Sequence, residues 1–313
     1  VARWDELPEP GDYASFELCG EPLMVLRGAD RRQRVFSRLC AHRAHPVVEG
    51  AGNTRRFVCP YHRWTYGLDG GLKSAPFMDA VDGFDPSDCG LRELASENWQ
   101  GFLFANLSPE PAPLGDALVP LAEVLAPHGL AGMSHVAVLD FDSPWNWKVM
   151  VDNFMESYHH IGPHAESLQK TNPAKETHQV ELPGPFSLLQ NPAVEEQPAF
   201  YVAHVFPSFL VAVFQGLGVA TWYEMRVDRV DHIDLRIHLM LSPELAAAEG
   251  MVALVQAQVT AVHREDIPVC QGIQRGIASR LWRPGPLSVQ EAALLPFHRH
   301  LVSRLSAFVG DVD

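Results

Sequence analysis

The sequence has no run of about eighteen apolar residues, so nothing in it reads as a helix long enough to span a bilayer. Positive charge is scarce: 24 Lys and Arg stand against 38 Asp and Glu, a formal net charge of −14. Nucleic acids and acidic membranes ordinarily meet a basic surface, so both are set aside as partners. The one local basic run, Arg31-Arg32-Gln33-Arg34, follows the turn residues Gly28-Ala29-Asp30 and reads as a solvated hairpin tip. Its other reading is a docking patch for an acidic redox partner. The opening residues Val1-Ala2-Arg3-Trp4-Asp5 lack the basic start and apolar core of a signal peptide. Low-complexity tracts and short repeats are absent. What remains is 313 residues of ordinary folded composition, 47% hydrophobic and 20% charged, enough for two domains.

Cysteine is also sparse, five in all, and two of the five sit in matched cassettes. Cys40-Ala41-His42 and Cys59-Pro60-Tyr61-His62 each combine one thiolate with one imidazole. Such a set suits a [2Fe–2S] cluster in which histidines replace cysteines on one iron. Zinc accepts the same ligands, but zinc fingers pair the two cysteines locally and the two histidines locally, and here the types are mixed in each loop. Cys19, Cys89 and Cys270 are left as free thiols, an odd remainder that suits a reducing cytoplasm.

The segments Ser37-Arg38-Leu39-Cys40-Ala41-His42-Arg43 and Cys59-Pro60-Tyr61-His62-Arg63-Trp64-Thr65-Tyr66 resemble the two cluster loops of Rieske oxygenases and Rieske ferredoxins. Ala44 and Arg63 stand where that family usually has glycine, which alters backbone geometry without removing a ligand. The respiratory branch adds a cysteine pair; His45 and Tyr61 occupy those places here, favouring the oxygenase or ferredoxin branch. A ferredoxin needs only the first third of this length.

Short apolar runs separated by turns continue to residue 107: Leu23–Leu26, Arg34–Phe36, Arg56–Val58 and Gly101–Leu107 read as strands of a small antiparallel barrel or sandwich. Gly67-Leu68-Asp69-Gly70-Gly71 reads as a hairpin turn. The Pro-rich stretch Ser108–Pro113 is the expected boundary, giving domains 1–108 and 109–313. Beyond it we expect a short helix from Ala117 to Leu125, strands at 136–141, 200–206, 209–215, 221–230 and 233–241, and a long helical region from about Pro243 to Arg280. The fold class is therefore α+β: an all-β cluster domain followed by an α+β domain with an antiparallel sheet and a long C-terminal helix. By resemblance the second domain is a helix-grip, START-like catalytic domain.

A second constellation lies at Asp152-Asn153-Phe154-Met155-Glu156-Ser157-Tyr158-His159-His160-Ile161-Gly162-Pro163-His164. On an unbroken helix His159 and His164 would point about 140° apart and could not share a metal. Gly162 and Pro163 disfavour continued helix and let His164 return from a loop toward the helix end carrying His159. With one carboxylate they would form a two-His-one-carboxylate facial set that leaves iron positions open. This segment, with Trp145-Asn146-Trp147-Lys148 before it, resembles the catalytic iron motif of Rieske non-haem iron oxygenase α subunits. The run from Arg264-Glu265-Asp266-Ile267-Pro268 through Cys270 resembles that family's carboxylate-bearing helix, and Asp266 holds the matching position. Glu265 is its rival, since adjacent helical residues point about 100° apart and only one can face the iron. Pro268 is a candidate kink that would aim Asp266 inward. Glu156 lies three residues before His159, one helical turn away. In the resembled family a carboxylate there connects the iron to a Rieske histidine of the neighbouring subunit. Asn153 is a candidate hydrogen-bonding neighbour of the site.

The resemblance implies an oxygenase that uses O2 and reductase-supplied electrons on a small organic substrate. It also implies a Rieske cluster, a mononuclear Fe(II), NADH or NADPH oxidised by a separate flavin and iron–sulfur reductase, and a homotrimer. The wording around His159 is most similar to short α-only oxygenases, including those acting on betaines and other quaternary amines. Aromatic ring hydroxylation and oxidative N-demethylation both stay open. Candidate pocket residues are Phe154, Tyr201, His204, Phe206, Phe209, Phe214, Trp222 and Tyr223. The contrasting class is a Rieske electron carrier fused to a noncatalytic ligand-binding domain, which would hold two irons per chain where the oxygenase holds three.

Overall fold

The computed structural model describes residues 1–194 and 196–310. The final three residues of the expected second domain lie outside them. The chain divides into two compact units, Val1–Gly115 and Asp116 onward, each described by itself below.

In the first unit the continuous apolar run Leu23-Met24-Val25-Leu26 forms the middle of strand Glu21–Arg27, buried on both faces. Side chains alternate across a strand, so Leu23 and Val25 enter one core with Val35, Leu94 and Leu103. Met24 and Leu26 enter another with Phe36, Trp64, Tyr66 and the two cysteines Cys40 and Cys59. Seven strands make an antiparallel sheet in the order Ala2–Arg3, Phe102–Asn106, Glu93–Trp99, Gln33–Ser37, Glu21–Arg27, Asp12–Leu18, Ala51–Asn53. A smaller sheet of Phe57–Val58, Thr65–Tyr66 and Leu72–Ser74 flanks the second cassette. The Gly67–Gly71 segment closes its hairpin, with Gly67 N donating to Gly71 O at 2.9 Å. The basic run is a hairpin tip between strands, tied by Arg34 to Asp30 at 2.6 Å.

The second unit is one antiparallel sheet of seven strands. Its order is Ser134–Ser143, His232–Leu241, Val219–Arg229, Phe209–Phe214, Phe200–Val205, Phe186–Asn191, His178–Gln179. Helix Met251–Ile277 packs on it, with Val255, His263, Asp266 and Cys270 as its buried positions. Their spacings of three, four and eight residues trace one stripe of the helix. Asp266 is on that stripe and Glu265 is not. Helix Trp147–Phe154 starts where the Asn146 side chain accepts from Lys148 N at 2.9 Å, and it buries Val149, Met150 and Val151.

Several expectations are corrected. The region after Pro243 is two helices, Pro243–Ala246 and Met251–Ile277, separated at Gly250, whose φ of 76° only glycine adopts without cost. Helical residues before Leu125 likewise form two pieces, Leu114–Ala117 and Val119–Leu125. Strand Phe186–Asn191 and helix Leu295–Gly310 were not anticipated. The first, Phe-Ser-Leu-Leu-Gln-Asn, is buried at five of six positions although half of its residues are polar, so no apolar alternation marks it as a strand. His159 is not on a regular helix: the helix ends at Phe154 and His159 belongs to the 3-10 turn Tyr158–Ile161.

Candidate active site

The two cassettes fold as equivalent loops. Cys40 N donates to His45 O and Ala44 N to Cys40 O, at 3.0 and 2.9 Å; Cys59 N donates to Trp64 O and Arg63 N to Cys59 O, at 2.8 and 3.0 Å. Tight closure requires left-handed backbone at Ala44 (φ 56°) and Arg63 (φ 61°), the two positions without glycine. Both cysteines are buried and free of disulfides, while His42 is exposed and His62 half-buried. The imidazole rings meet edge to face with centroids 4.5 Å apart, and His42 stacks on Trp64 at 4.8 Å. The Tyr66 hydroxyl lies 3.1 Å from Cys40 Sγ and accepts from Ala41 N at 3.0 Å. Burial pushes the Cys59 thiol up, while the N–H groups of Tyr61 and His62 favour its thiolate. Two buried sulfurs at one end and two adjacent rings at the more exposed end fit a [2Fe–2S] group with mixed ligands.

In the second unit His159, His164 and Asp266 bring one ligand atom each within 4.8 Å of one another. Asp266 Oδ1 lies 3.0 Å from His164 Nε2 and 3.6 Å from His159 Nε2. The other nitrogen of each ring is held by its own carboxylate. His159 Nδ1 donates to Glu156 Oε1 at 2.6 Å, and His164 Nδ1 donates to Glu265 Oε2 at 2.6 Å. With Nδ1 of each ring held from behind, both Nε2 atoms face Asp266, the donor set of a facial two-His-one-carboxylate metal site. Burial works to lower the His164 imidazole, but Asp266 and Glu265 outweigh it and hold it above its ordinary value.

The two adjacent carboxylates point in different directions. Asp266 is 7% exposed and faces both rings, whereas Glu265 reaches around to the back of His164 and also accepts from Ser167 Oγ at 2.5 Å. Glu265, the rival ligand on sequence grounds, is bracketed instead by a hydroxyl and an imidazole, which makes it an orienting group. Asn153 donates through Nδ2 to Asp266 Oδ1 at 3.1 Å and accepts from Cys270 Sγ at 3.2 Å. Glu156 also accepts from His159 N at 3.0 Å, so the pair stays together although no regular helix connects them.

A cavity of about 340 Å³ opens beside this cluster, with Asn153, His159, His164 and Asp266 on its wall. Strand register explains the rest. Phe200 pairs with Phe214 and Phe214 with Val219; Val202 pairs with Ala212 and Ala212 with Thr221; all six share the cavity face. Of the candidate pocket residues, Phe154, Phe214 and Tyr223 lie on the cavity wall. Tyr201, His204, Phe206, Phe209 and Trp222 are not on its wall. Tyr201 and Trp222 fall at the opposite strand parity, and Trp222 stacks on His238 at 4.2 Å. His204 shares the face but lies one pair further on, against Phe206 and Phe297. Its Nε2 donates to Pro207 O at 2.8 Å, and burial pushes it down to about 4. Phe200, Thr221 and Asn191 were missed on the wall; counting strand parity from Phe214 would have found the first two.

Known proteins share this arrangement. The Rieske [2Fe-2S] domain family matches residues 1–85, and the ring hydroxylating alpha subunit catalytic domain matches residues 130–190 and 171–307. The carnitine monooxygenase oxygenase subunit of Acinetobacter baumannii is 32% identical over 301 residues, covering 90% of this chain and 79% of that protein. The crystal structure of the quaternary ammonium Rieske monooxygenase CntA superposes with a TM-score of 0.86 at 26% identity, over 97% of this chain and 87% of that one. Naphthalene 1,2-dioxygenase from Rhodococcus shares the fold, with a TM-score of 0.77 at 20% identity over 97% of this chain and 88% of that one.

Proposed function

The chain belongs to the family of Rieske non-haem iron oxygenase α subunits, and from that premise we propose how its own residues carry the reaction. It is an oxidoreductase that hydroxylates a small organic substrate. Cys40, Cys59, His42 and His62 hold the [2Fe–2S] group, and His159, His164 and Asp266 hold a mononuclear Fe(II). When bound, these centres supply single-electron delivery and dioxygen activation at a site with open coordination positions. The observation that carries this reading is the convergence of three metal-ligating atoms within 4.8 Å at the wall of a 340 Å³ cavity.

Each neighbouring group then has a task. Glu156 and Glu265 keep the Nδ1 protons of His159 and His164 in place, so both rings present Nε2 to the metal. Asn153 fixes Asp266 Oδ1 and is itself anchored by the Cys270 thiol. The rings of Phe154, Phe200, Phe214 and Tyr223 exclude water and hold the apolar part of the substrate. Tyr66, bonded to Cys40 Sγ, sets the electron affinity of the cluster.

The partner set follows the family. A separate flavin and iron–sulfur reductase draws electrons from NADH or NADPH, and the chain assembles as a homotrimer in which Glu156 links His159 to the cluster of a neighbouring copy. Among the described residues no helix is long and apolar enough to cross a membrane.

The test is a substrate screen with a generic reductase under heavy-isotope O2. Mass-shifted product, or release of formaldehyde from an N-methyl substrate, supports the reading. Peroxide formation with no labelled product from any substrate would sink it.

A further inference from the structure

Two exposed segments of the chain each combine large apolar side chains with charge of a single sign, and the two signs are opposite. From Ser74 to Leu91 stand Asp79, Asp82, Asp85 and Asp88 and no Lys or Arg. On this loop Phe77 is 93% exposed at a left-handed backbone position, φ 65°, and Val81 is half-exposed. A bare phenyl ring on a strained non-glycine residue is unfavourable in the isolated chain and marks a surface that something covers. From Ile267 to Gln290 stand Arg275, Arg280 and Arg283 and no Asp or Glu. There Leu281 and Val289 are 90% and 89% exposed, and Trp282 is half-exposed. Arg283 donates to the carbonyl oxygens of Arg280 and Trp282, and among the described residues no carboxylate pairs with any of the three arginines.

Each segment is anchored beside one of the two centres. The acidic loop continues from the small sheet that flanks the second cassette, and its Phe84 ring meets Trp64 at 5.8 Å, the ring on which His42 stacks. The basic segment continues the helix that carries Asp266; Ile273 follows Asp266 by seven residues, about 10 Å along the axis. Both segments are exposed in the single chain, which leaves them for a second molecule. Opposite charges would steer and register such a contact, while the Phe, Leu and Trp side chains supply the area removed from water. The other basic, acid-free stretches, 31–48 and 50–68, expose only one large apolar side chain, Tyr61. The segment after Asp266 is thus the one that answers the acidic loop in both charge and apolar area.

Resting on the homotrimer reading above, we propose that the Asp-rich loop 75–90 of one copy docks on the Arg-rich segment 273–289 of the next. The occupant of each patch is a second copy of this chain. Because two different patches meet, the contact is head to tail, and three such contacts close a ring. The contact brings the histidine end of one copy's cluster toward the iron helix of its neighbour, so the docking patches double as the guide for electron transfer between copies.

Sedimentation velocity of the iron-loaded full chain tests this without turnover. The unaltered chain should sediment as a trimer. Phe77→Ser with Val81→Ser, and separately Leu281→Ser with Trp282→Ser, should each weaken assembly about 100-fold or more and shift the chain to monomer. Cluster absorption and melting should stay unchanged, because these side chains are exposed in the single chain. Mixing the two variants leaves one intact acidic patch facing one intact basic patch, so a dimer should form and no trimer. Charge reversal by Asp79→Arg with Asp82→Arg should likewise open the ring, and adding Arg280→Asp with Arg283→Asp in the same chain should close it again. A monomeric unaltered chain, variants that stay trimeric, or a mixture that yields trimers would overturn the proposal. Variants that stay trimeric but accept electrons more slowly from the reductase would assign the patches to that partner instead, and overturn it too. Failure of the oxygenase reading looks different: the expected mixing pattern with no labelled oxygen entering any substrate.

Discussion

Adjacent residues Glu265 and Asp266 have opposite assignments, and separating them is a sharp test of the metal centre. Asp266 Oδ1 sits 3.0 and 3.6 Å from the two facing Nε2 atoms, so Asp266→Ala removes the only carboxylate of the donor set. Two imidazoles alone should not retain Fe(II) through a desalting column. The variant should fall from three irons per chain to two, with the visible absorption of the cluster intact. Glu265 touches the same ring from behind, at 2.6 Å from His164 Nδ1, and its side chain is 33% exposed. Losing an orienting hydrogen bond of this type typically costs 10–100-fold in metal affinity, about 1.4–2.7 kcal/mol. Glu265→Ala should therefore still fill at excess Fe(II), with a dissociation constant raised by about that factor, and Glu265→Gln should recover part of it. The assay is iron and acid-labile sulfide per chain, followed by anaerobic Fe(II) titration. A third iron retained by Asp266→Ala, or lost outright from Glu265→Ala, would reverse the assignment.

Three further outcomes follow from the geometry. Tyr66→Phe deletes the hydroxyl 3.1 Å from Cys40 Sγ, so the oxidised cluster gains relative stability and protein-film voltammetry should show a midpoint lower by about 50 mV; an unchanged potential would remove Tyr66 from the account. Arg63→Gly relieves a left-handed residue at φ 61°, a strain of about 1–2 kcal/mol partly offset by glycine's freedom when unfolded, so the first unit should gain up to about 1 kcal/mol in denaturant melts. Ala44→Gly should behave the same way, and a loss in both would refute the strain. His204 has a folded-state value of about 4 against an ordinary 6.5, so it contributes stability that is fully present above pH 6.5 and declines as pH falls toward 4. The decline is of order 3 kcal/mol, and His204→Gln should flatten it in pH-dependent melts; a slope unchanged by the substitution would assign the acid loss elsewhere.

The cluster loops were legible because ligand chemistry restricts residue type and spacing together: two Cys and two His in mixed pairs leave few alternatives. The missing glycines suggested altered backbone at Ala44 and Arg63, but both loops keep the left-handed turn and bear its strain instead. The second site was only half legible. His159, His164 and Asp266 were named through a resemblance. Their mutual geometry depends on a 3-10 turn and on a distant helix whose Asp266 follows His164 by more than a hundred residues, which no local pattern encodes. Glu265 was ambiguous because a carboxylate one position away on a helix looks alike until its direction is known. The pocket was least legible. Apolar strands such as Phe209–Phe214, buried at five of six positions, lose the alternation that would assign a face. Trp222 and Tyr223 are equally aromatic, and only register decides that Tyr223 meets the cavity.

The central claim is that one chain holds two iron centres of different kinds, and anomalous diffraction at the iron edge of iron-replete crystals tests it most directly. The account predicts a paired peak among Cys40, His42, Cys59 and His62, and a single peak bounded by His159 Nε2, His164 Nε2 and Asp266. An empty second position with those side chains turned away, or a zinc signal in the first, would contradict it.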